Sequence, residues 1–127
     1  MNTYKRPGSR SNIRKMDPAA ISEPVDLVTI DTSFISLKIV VPTILRFLKP
    51  DGIILALIKP QFEAGRGRVG KGGIIRDPSL HAEIIQSLQV FFSRQSLSCD
   101  SVIPSPVLGT KGNREFIIML RPVDFDL

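Results

Sequence analysis

Six apolar residues in a row, Ile53 to Ile58, run straight into Lys59-Pro60-Gln61-Phe62-Glu63. A continuous apolar run this short, bounded by turn residues, fits a strand buried on both faces. Asp51-Gly52 supplies the turn before it. Pro60 cannot donate to a sheet ladder, so the strand ends there. Lys59 is thereby set at the carboxyl end of a central strand, where open α/β sheets hold their ligands. The plain structural alternative is a lysine that snorkels from a strand end into water.

With 127 residues the chain is long enough for one domain with a real core. It has no Trp, one Tyr and seven Phe, which argues against a base-stacking module of the usual aromatic kind. Cys99 is the single cysteine and His81 the single histidine, so neither an intramolecular disulfide nor a metal centre is expected. The longest apolar run is far short of a membrane span, and Met1–Lys15 lacks the apolar core of a signal peptide. A reducing, cytoplasmic setting with no membrane partner is the expectation.

The net charge of +5 is unevenly placed. Lys5, Arg6, Arg10, Arg14 and Lys15 crowd the first stretch, and Arg66, Arg68, Lys71 and Arg76 crowd a glycine-rich one. Neither stretch contains an acid, so the rest of the chain is net acidic. Two basic segments of this kind suit a polyanion such as RNA, against the alternative of a solvated tail and loop.

In chain order, residues 1–11 read as a disordered basic arm, and residues 12–127 as the folded unit. Val25–Ile30 is a β-branched run and hence a strand, with Asp31 at its end. A helix follows to about Leu48, with Ile44, Leu45 and Leu48 facing the core; it either starts near Pro42 or is irregular there. After the central strand, residues 64–75 form a mobile glycine-rich loop. Asp77-Pro78 is a strong helix start, and Leu80, Ile84, Leu88 and Phe91 continue at helical spacing. His81 reads as a surface residue of that helix, and Cys99 as packing in a weak strand, 98–103. Residues 114–121 form the last strand, with Glu115 at its start. The order β-α-β-loop-α-β-β predicts an α/β fold of about four strands and two main helices. Its first two strands are parallel and its last two antiparallel.

Asp31 and Lys59 end adjacent parallel strands, and Glu115 begins a strand running the other way. All three therefore meet at one sheet edge, where the alternative to a functional site is an ion-pair cluster on the rim. Around them stand Asp31-Thr32-Ser33-Phe34-Ile35-Ser36-Leu37, Lys59-Pro60-Gln61-Phe62-Glu63 and Lys71-Gly72-Gly73-Ile74-Ile75-Arg76-Asp77. Ser105-Pro106, Gly109 and Lys111-Gly112-Asn113-Arg114-Glu115-Phe116 follow. These motifs, with Ser11-Asn12-Ile13-Arg14 upstream, resemble the TlyA (haemolysin A-like) family, related to the FtsJ ribosomal RNA methyltransferases. The resemblance runs from about Ser11 to Pro122.

The resemblance implies a Rossmann-like methyltransferase fold, S-adenosyl-L-methionine as cofactor and ribosomal RNA as substrate. Its implied chemistry is ribose 2′-O methylation by a Lys-Asp-Lys-Glu tetrad, in which Asp31, Lys59 and Glu115 match the Asp, the second Lys and the Glu. It also implies that Asp31, Ser33 and Phe34 hold the cofactor's methionine end. Arg66, Arg68, Lys71 and Arg76 would then meet RNA phosphate. No glycine-rich strand-to-helix turn for the cofactor and no strand carrying the first tetrad lysine is found. The expectation is therefore a carboxyl-terminal half of a methyltransferase domain. Its first strand would expose an apolar edge, which a homodimer could cover. A non-catalytic RNA-binding or self-associating module on the same fold is the alternative. Membrane lysis has no support, since no basic amphipathic helix of the membrane-active type is present.

Overall fold

The computed structural model describes residues 23–65, 67–69 and 71–123, with the side chain of Lys71 left aside. The basic arm expected over residues 1–11 lies outside them. Four strands are found: β1 (Val25–Ile30), β2 (Leu48–Ile58), β3 (Leu97–Pro104) and β4 (Phe116–Pro122). Three helices join them: α1 (Leu37–Ile44), the single turn α2 (Pro60–Glu63) and α3 (Pro78–Ser93). The sheet order is β1-β2-β4-β3, with β1 and β2 parallel and both other pairs antiparallel. The chain is thus α/β with a mixed four-strand sheet, and β4 inserts between β2 and β3.

The register builds one apolar face. Val28 pairs with Ile54 and Ile30 with Ala56. On the other side of β2, Ile54 meets Leu120, Ala56 meets Ile118 and Ile58 meets Phe116. All of these are buried. They receive Leu37, Val40, Val41 and Ile44 of α1 and Ile84, Leu88 and Phe92 of α3. Since α1 and α3 also touch each other, both lie on the same side of the sheet.

This corrects the expectation that the central strand is buried on both faces. Ile53, Leu55 and Leu57 of β2 are only half-buried, as are Ile117 and Met119 of β4, and Leu27 of β1 is 41% exposed. A continuous apolar run shows that both faces are apolar; it does not show what covers the second.

One alternative left open by the sequence is settled as an irregular helix, and one boundary differs. Pro42 lies inside α1, and its missing N–H takes the Lys38 carbonyl out of the helical ladder. The helix starts before it, at Leu37, and tightens into a 3₁₀ turn, Leu45–Phe47. Leu48, expected as a helix residue, instead opens β2. Val25 pairs with Leu48 but Leu27 with Ile53, so Lys49-Pro50-Asp51-Gly52 bulges opposite Asp26. A Cβ on Gly52 would overlap the Leu48 side chain, which explains the glycine in that bulge. The start of α3 is as read: Asp77 caps it, its carboxylate accepting from the Ser79 amide at 2.9 Å, with Pro78 in the first position. Among the described residues no helix is long and apolar enough to cross a membrane.

One-sided burial has a measurable consequence. Ile118→Ala should cost about 2–5 kcal/mol in a urea unfolding experiment. Ile117→Ala, its neighbour on the opposite face, should cost less than about half as much. Equal losses would overturn the one-sided core.

Candidate active site

The ends of three strands make the site. β1 stops at Ile30 and β2 at Ile58, so Asp31 and Lys59 leave the sheet at the same edge. Ile58 pairs with Phe116, so Glu115, one residue before β4, stands beside Lys59 in the register. The Lys59 ammonium sits 2.5 Å from the Asp31 carboxylate, and it donates to Ser33 Oγ at 3.3 Å. Its side chain is only 13% exposed, against 50% for Asp31. This lysine does not snorkel freely: its charge is held inward by two groups of the loop after β1.

Glu115 is placed differently. It is buried, and it accepts from Gln61 Nε2 at 3.4 Å. No ion pair joins it to Lys59 among the described residues. Its carboxylate lies against the backbone of Gly109, where a Cβ would overlap it. Gln61 Oε1 is itself buried without a hydrogen-bond partner. Among the described residues the edge therefore carries a partnered charge pair, a buried carboxylate with a long hydrogen bond and an orphaned amide oxygen.

Beside this edge is a cavity of about 260 Å³ whose walls include Ser33, Phe34, Gln61, Phe62, Thr110 and Asn113. Phe34 has a φ of 64°, which a phenylalanine rarely adopts, and is 88% exposed. Its ring lies 4.7 Å from that of Phe62. Polar ends and aromatic walls suit one end of a cofactor that carries a charged group and an apolar body. The volume falls below the roughly 300–1,000 Å³ of complete small-molecule sites. The cavity has room for part of a small-molecule ligand and not for the whole of one.

Polar contacts far apart in sequence hold the loops in place. Glu63 reaches back to the start of α1, accepting from Ser36 Oγ at 2.6 Å and from the Leu37 amide at 2.8 Å. Ser36 Oγ in turn accepts from the Lys38 amide at 3.0 Å. A helix start normally leaves such donors unsatisfied; here the loop after β2 caps the helix that follows β1. Asn113 does the same for the glycine-rich loop. Its Oδ1 accepts from the Ile75 amide at 3.0 Å, and its Nδ2 donates to the carbonyls of Gly73 at 2.9 Å and Thr110 at 3.0 Å. The far end of the loop expected to be mobile is thus tied down. His81 is not a free surface residue: its Nε2 meets the Ile75 carbonyl at 2.9 Å and its ring meets Phe116 edge-on.

Two of the four basic side chains are described. Arg66 lies outside the described residues, and only the backbone of Lys71 is described, in a 3₁₀ turn. Arg68 is ion-paired with Glu83 of α3. Arg76 stands exposed at the start of α3. Gln61, Glu63 and Asn113 lie in the quoted motifs but receive no role from the sequence. The signal that could have found them is that each is a polar residue beside a candidate charge, in a loop that must be held.

Two outcomes follow. Burial pushes the Glu63 carboxyl above its usual range, and the bonds from Ser36 and Leu37 pull it back only in part. The folded state then holds the proton to higher pH than the unfolded one. The contribution of Glu63 should be full below the ordinary carboxylate pKa and decline as pH rises through the raised value. Relative to Glu63→Gln, the unmodified chain should lose urea stability over that window; a pH-independent difference would overturn this. Asn113→Ala should cost about 2–3 kcal/mol, because it strands buried backbone groups. Amide exchange at Ile75 should accelerate while the centre of α3 keeps its protection.

The chain as a whole is similar to known proteins. The family model for FtsJ-like methyltransferases matches residues 4–122. The chain is 41% identical over 113 residues to "Putative rRNA methyltransferase YqxC" of Bacillus subtilis, covering 88% of this chain and 40% of that protein. It is 44% identical over 114 residues to "16S/23S rRNA (cytidine-2'-O)-methyltransferase TlyA" of Mycobacterium tuberculosis, covering 88% and 42%. The chain therefore spans about two-fifths of the length of these relatives. Among solved structures, "Putative hemolysin from Streptococcus thermophilus" superposes with a TM-score of 0.84 at 35% identity, over 90% of this chain and 42% of that one.

Proposed function

The chain belongs to the FtsJ-like methyltransferase family, and from that premise we propose that it carries the reacting edge of an S-adenosylmethionine-dependent ribosomal RNA methyltransferase acting on a ribose 2′-hydroxyl. We assign Asp31, Lys59 and Glu115 to the reacting end and Ser33 and Phe34, with Asp31, to the cofactor's methionine end. The observation that carries this reading is Lys59, nearly buried and held by Asp31 and Ser33 at the carboxyl edge of the sheet, beside a buried Glu115 with one long hydrogen bond. The 2′-O-methyltransferase name of the Mycobacterium tuberculosis relative agrees with it.

S-adenosylmethionine, when bound, supplies an electrophilic methyl group on a sulfonium. The chain's own residues position the nucleophile. Asp31 and Ser33 fix the direction of the Lys59 ammonium, which donates to the ribose oxygen and orients it. As the new carbon–oxygen bond forms, the hydroxyl becomes strongly acidic. Glu115 has acceptor capacity left for that proton, since Gln61 satisfies only part of it. Holding oxygen and methyl in line accounts for much of the rate such a site can reach.

We read residues 12–127 as the carboxyl-terminal half of the methyltransferase domain. The one-sided sheet and the partial cofactor cavity support this, as does coverage of two-fifths of the relatives. Activity is accordingly expected of a protein that also supplies the rest of the cofactor pocket.

In such a complete protein, Lys59→Ala should lower methyl transfer by about 10²–10⁴-fold with the circular dichroism spectrum unchanged. The unmodified protein should leave a ribosomal RNA product resistant to alkaline cleavage at the modified nucleotide. Activity within tenfold of the unmodified protein would remove Lys59 from the reaction. A product methylated on a base would overturn the ribose assignment.

A further inference from the structure

A second cleft, of about 420 Å³, lies on the α3 side of the same edge. Arg76, just before the start of α3, and Arg114, just before Glu115, both line it. Phe116, Ile85 and Pro78 supply an apolar floor, and His81 lines it with a ring fixed by its bond to the Ile75 carbonyl. Both arginines are exposed, and neither has an acidic partner among the described residues. Arg68 and Arg121, by contrast, are paired with Glu83 and Asp100. Asp77, the acid next in sequence to Arg76, is engaged in capping the Ser79 amide.

Two unneutralised guanidiniums on one cleft repel each other and favour a shared anion. The guanidinium fork matches phosphate oxygens bidentately. The first amides of α3 add nothing, because Ser79, Leu80 and His81 already bond to Asp77. The site is therefore made by side chains. An apolar floor below two cations calls for an anion attached to a flat apolar body, which is the chemistry of a nucleotide.

The position selects the source. Arg114, Glu115 and Phe116 are consecutive: the middle one faces Gln61 and Gly109, and its two neighbours line the cleft. The cleft is therefore lined by the two residues that flank Glu115 in sequence, one residue from the proposed reacting edge. We propose that this cleft seats a phosphodiester of single-stranded RNA between Arg76 and Arg114, next to the nucleotide being modified. The proposal rests on the RNA reading of the site and adds Arg114, with a defined docking place, to it.

The test is anisotropy of a labelled single-stranded RNA oligonucleotide with the 127-residue chain over a series of sodium chloride concentrations. Each phosphate contact contributes about −0.7 to the slope of log K against log salt for single strands. Arg76→Ala and Arg114→Ala should each flatten the slope by about that amount, and Arg114→Lys should restore most of it. Arg94→Ala, an exposed arginine at the far end of α3, should leave it unchanged. An Arg114→Ala slope equal to that of the unmodified chain would overturn the site, as would an Arg94→Ala effect of the same size. Equal competition by an acidic peptide would assign the cleft to a protein partner and overturn the RNA assignment. Absence of any RNA binding by the unmodified chain would also overturn the site. It would leave the role of Lys59 to the methyl-transfer experiment, so the two readings fail separately.

Discussion

The pairing of β4 against β2 is the constraint on which the rest of this structure depends. Among the described strands β2 alone touches both β1 and β4, and its end at Ile58 is matched by the start of β4 at Phe116. A shift of one residue would turn Ile54, Ala56 and Ile58 away from α1 and α3. It would also separate Lys59 from Glu115. Core and site are therefore set by the same register: the alternation that buries Phe116 is the one that brings Glu115 to the edge. This is why Pro60 matters. Strand pairing cannot continue through it, and the chain breaks into α2 at the point where Lys59 leaves the sheet.

A strand edge alone would leave four loops to wander, and three polar side chains prevent that. Glu63 joins the loop after β2 to the helix after β1. Asn113 joins the glycine-rich loop to the turn before β4. Gln61 joins the loop after β2 to Glu115. Each replaces water at a backbone or carboxylate group that would otherwise be buried unsatisfied. The result is a site built on loops with the positional definition that rigid elements usually provide. Gly109 belongs to the same arrangement, since its missing side chain is the space the Glu115 carboxylate fills.

The parts legible in the sequence were those decided locally. The β1 run and the Asp77-Pro78 start of α3 depend on residues within a turn or two of each other, and both were readable. The convergence of Asp31, Lys59 and Glu115 on one edge was readable as well, because parallel and antiparallel directions follow from connection lengths. The start of β2 was not. Lys49-Pro50-Asp51-Gly52 has turn composition, and only pairing with β1 shows that the strand absorbs it as a bulge. The roles of Gln61 and Asn113 were hidden for a related reason: their partners lie dozens of residues away, and polar pairing carries no periodic signal. His81 was misread because its partner carbonyl belongs to a loop whose path no pattern specifies. The incomplete cover of the sheet's second face was equally hidden, since a run of apolar residues reports a wish for cover and not its extent.

One departure from ordinary protein chemistry remains, and its location carries meaning. Burying an amide oxygen with no hydrogen-bond partner among the described residues, next to a carboxylate that accepts a 3.4 Å bond, runs against the rule that buried polar groups are satisfied. Each such group costs about 1–3 kcal/mol, a large share of the stability of a small domain. The described part of the chain concentrates this cost at the spot where three strand ends meet. Away from it Glu63 is held by Ser36 and Leu37 and Asp77 by Ser79, and at the edge itself Asp31 is paired with Lys59. A fold that satisfies its other loops with care and leaves Gln61 Oε1 without a donor among the described residues has acceptor capacity at that edge. A hydroxyl, an ammonium or a water in that place would supply the missing bonds. The orphaned oxygen therefore stands where the proposed reaction places its nucleophile, and the proposal gives that cost a use.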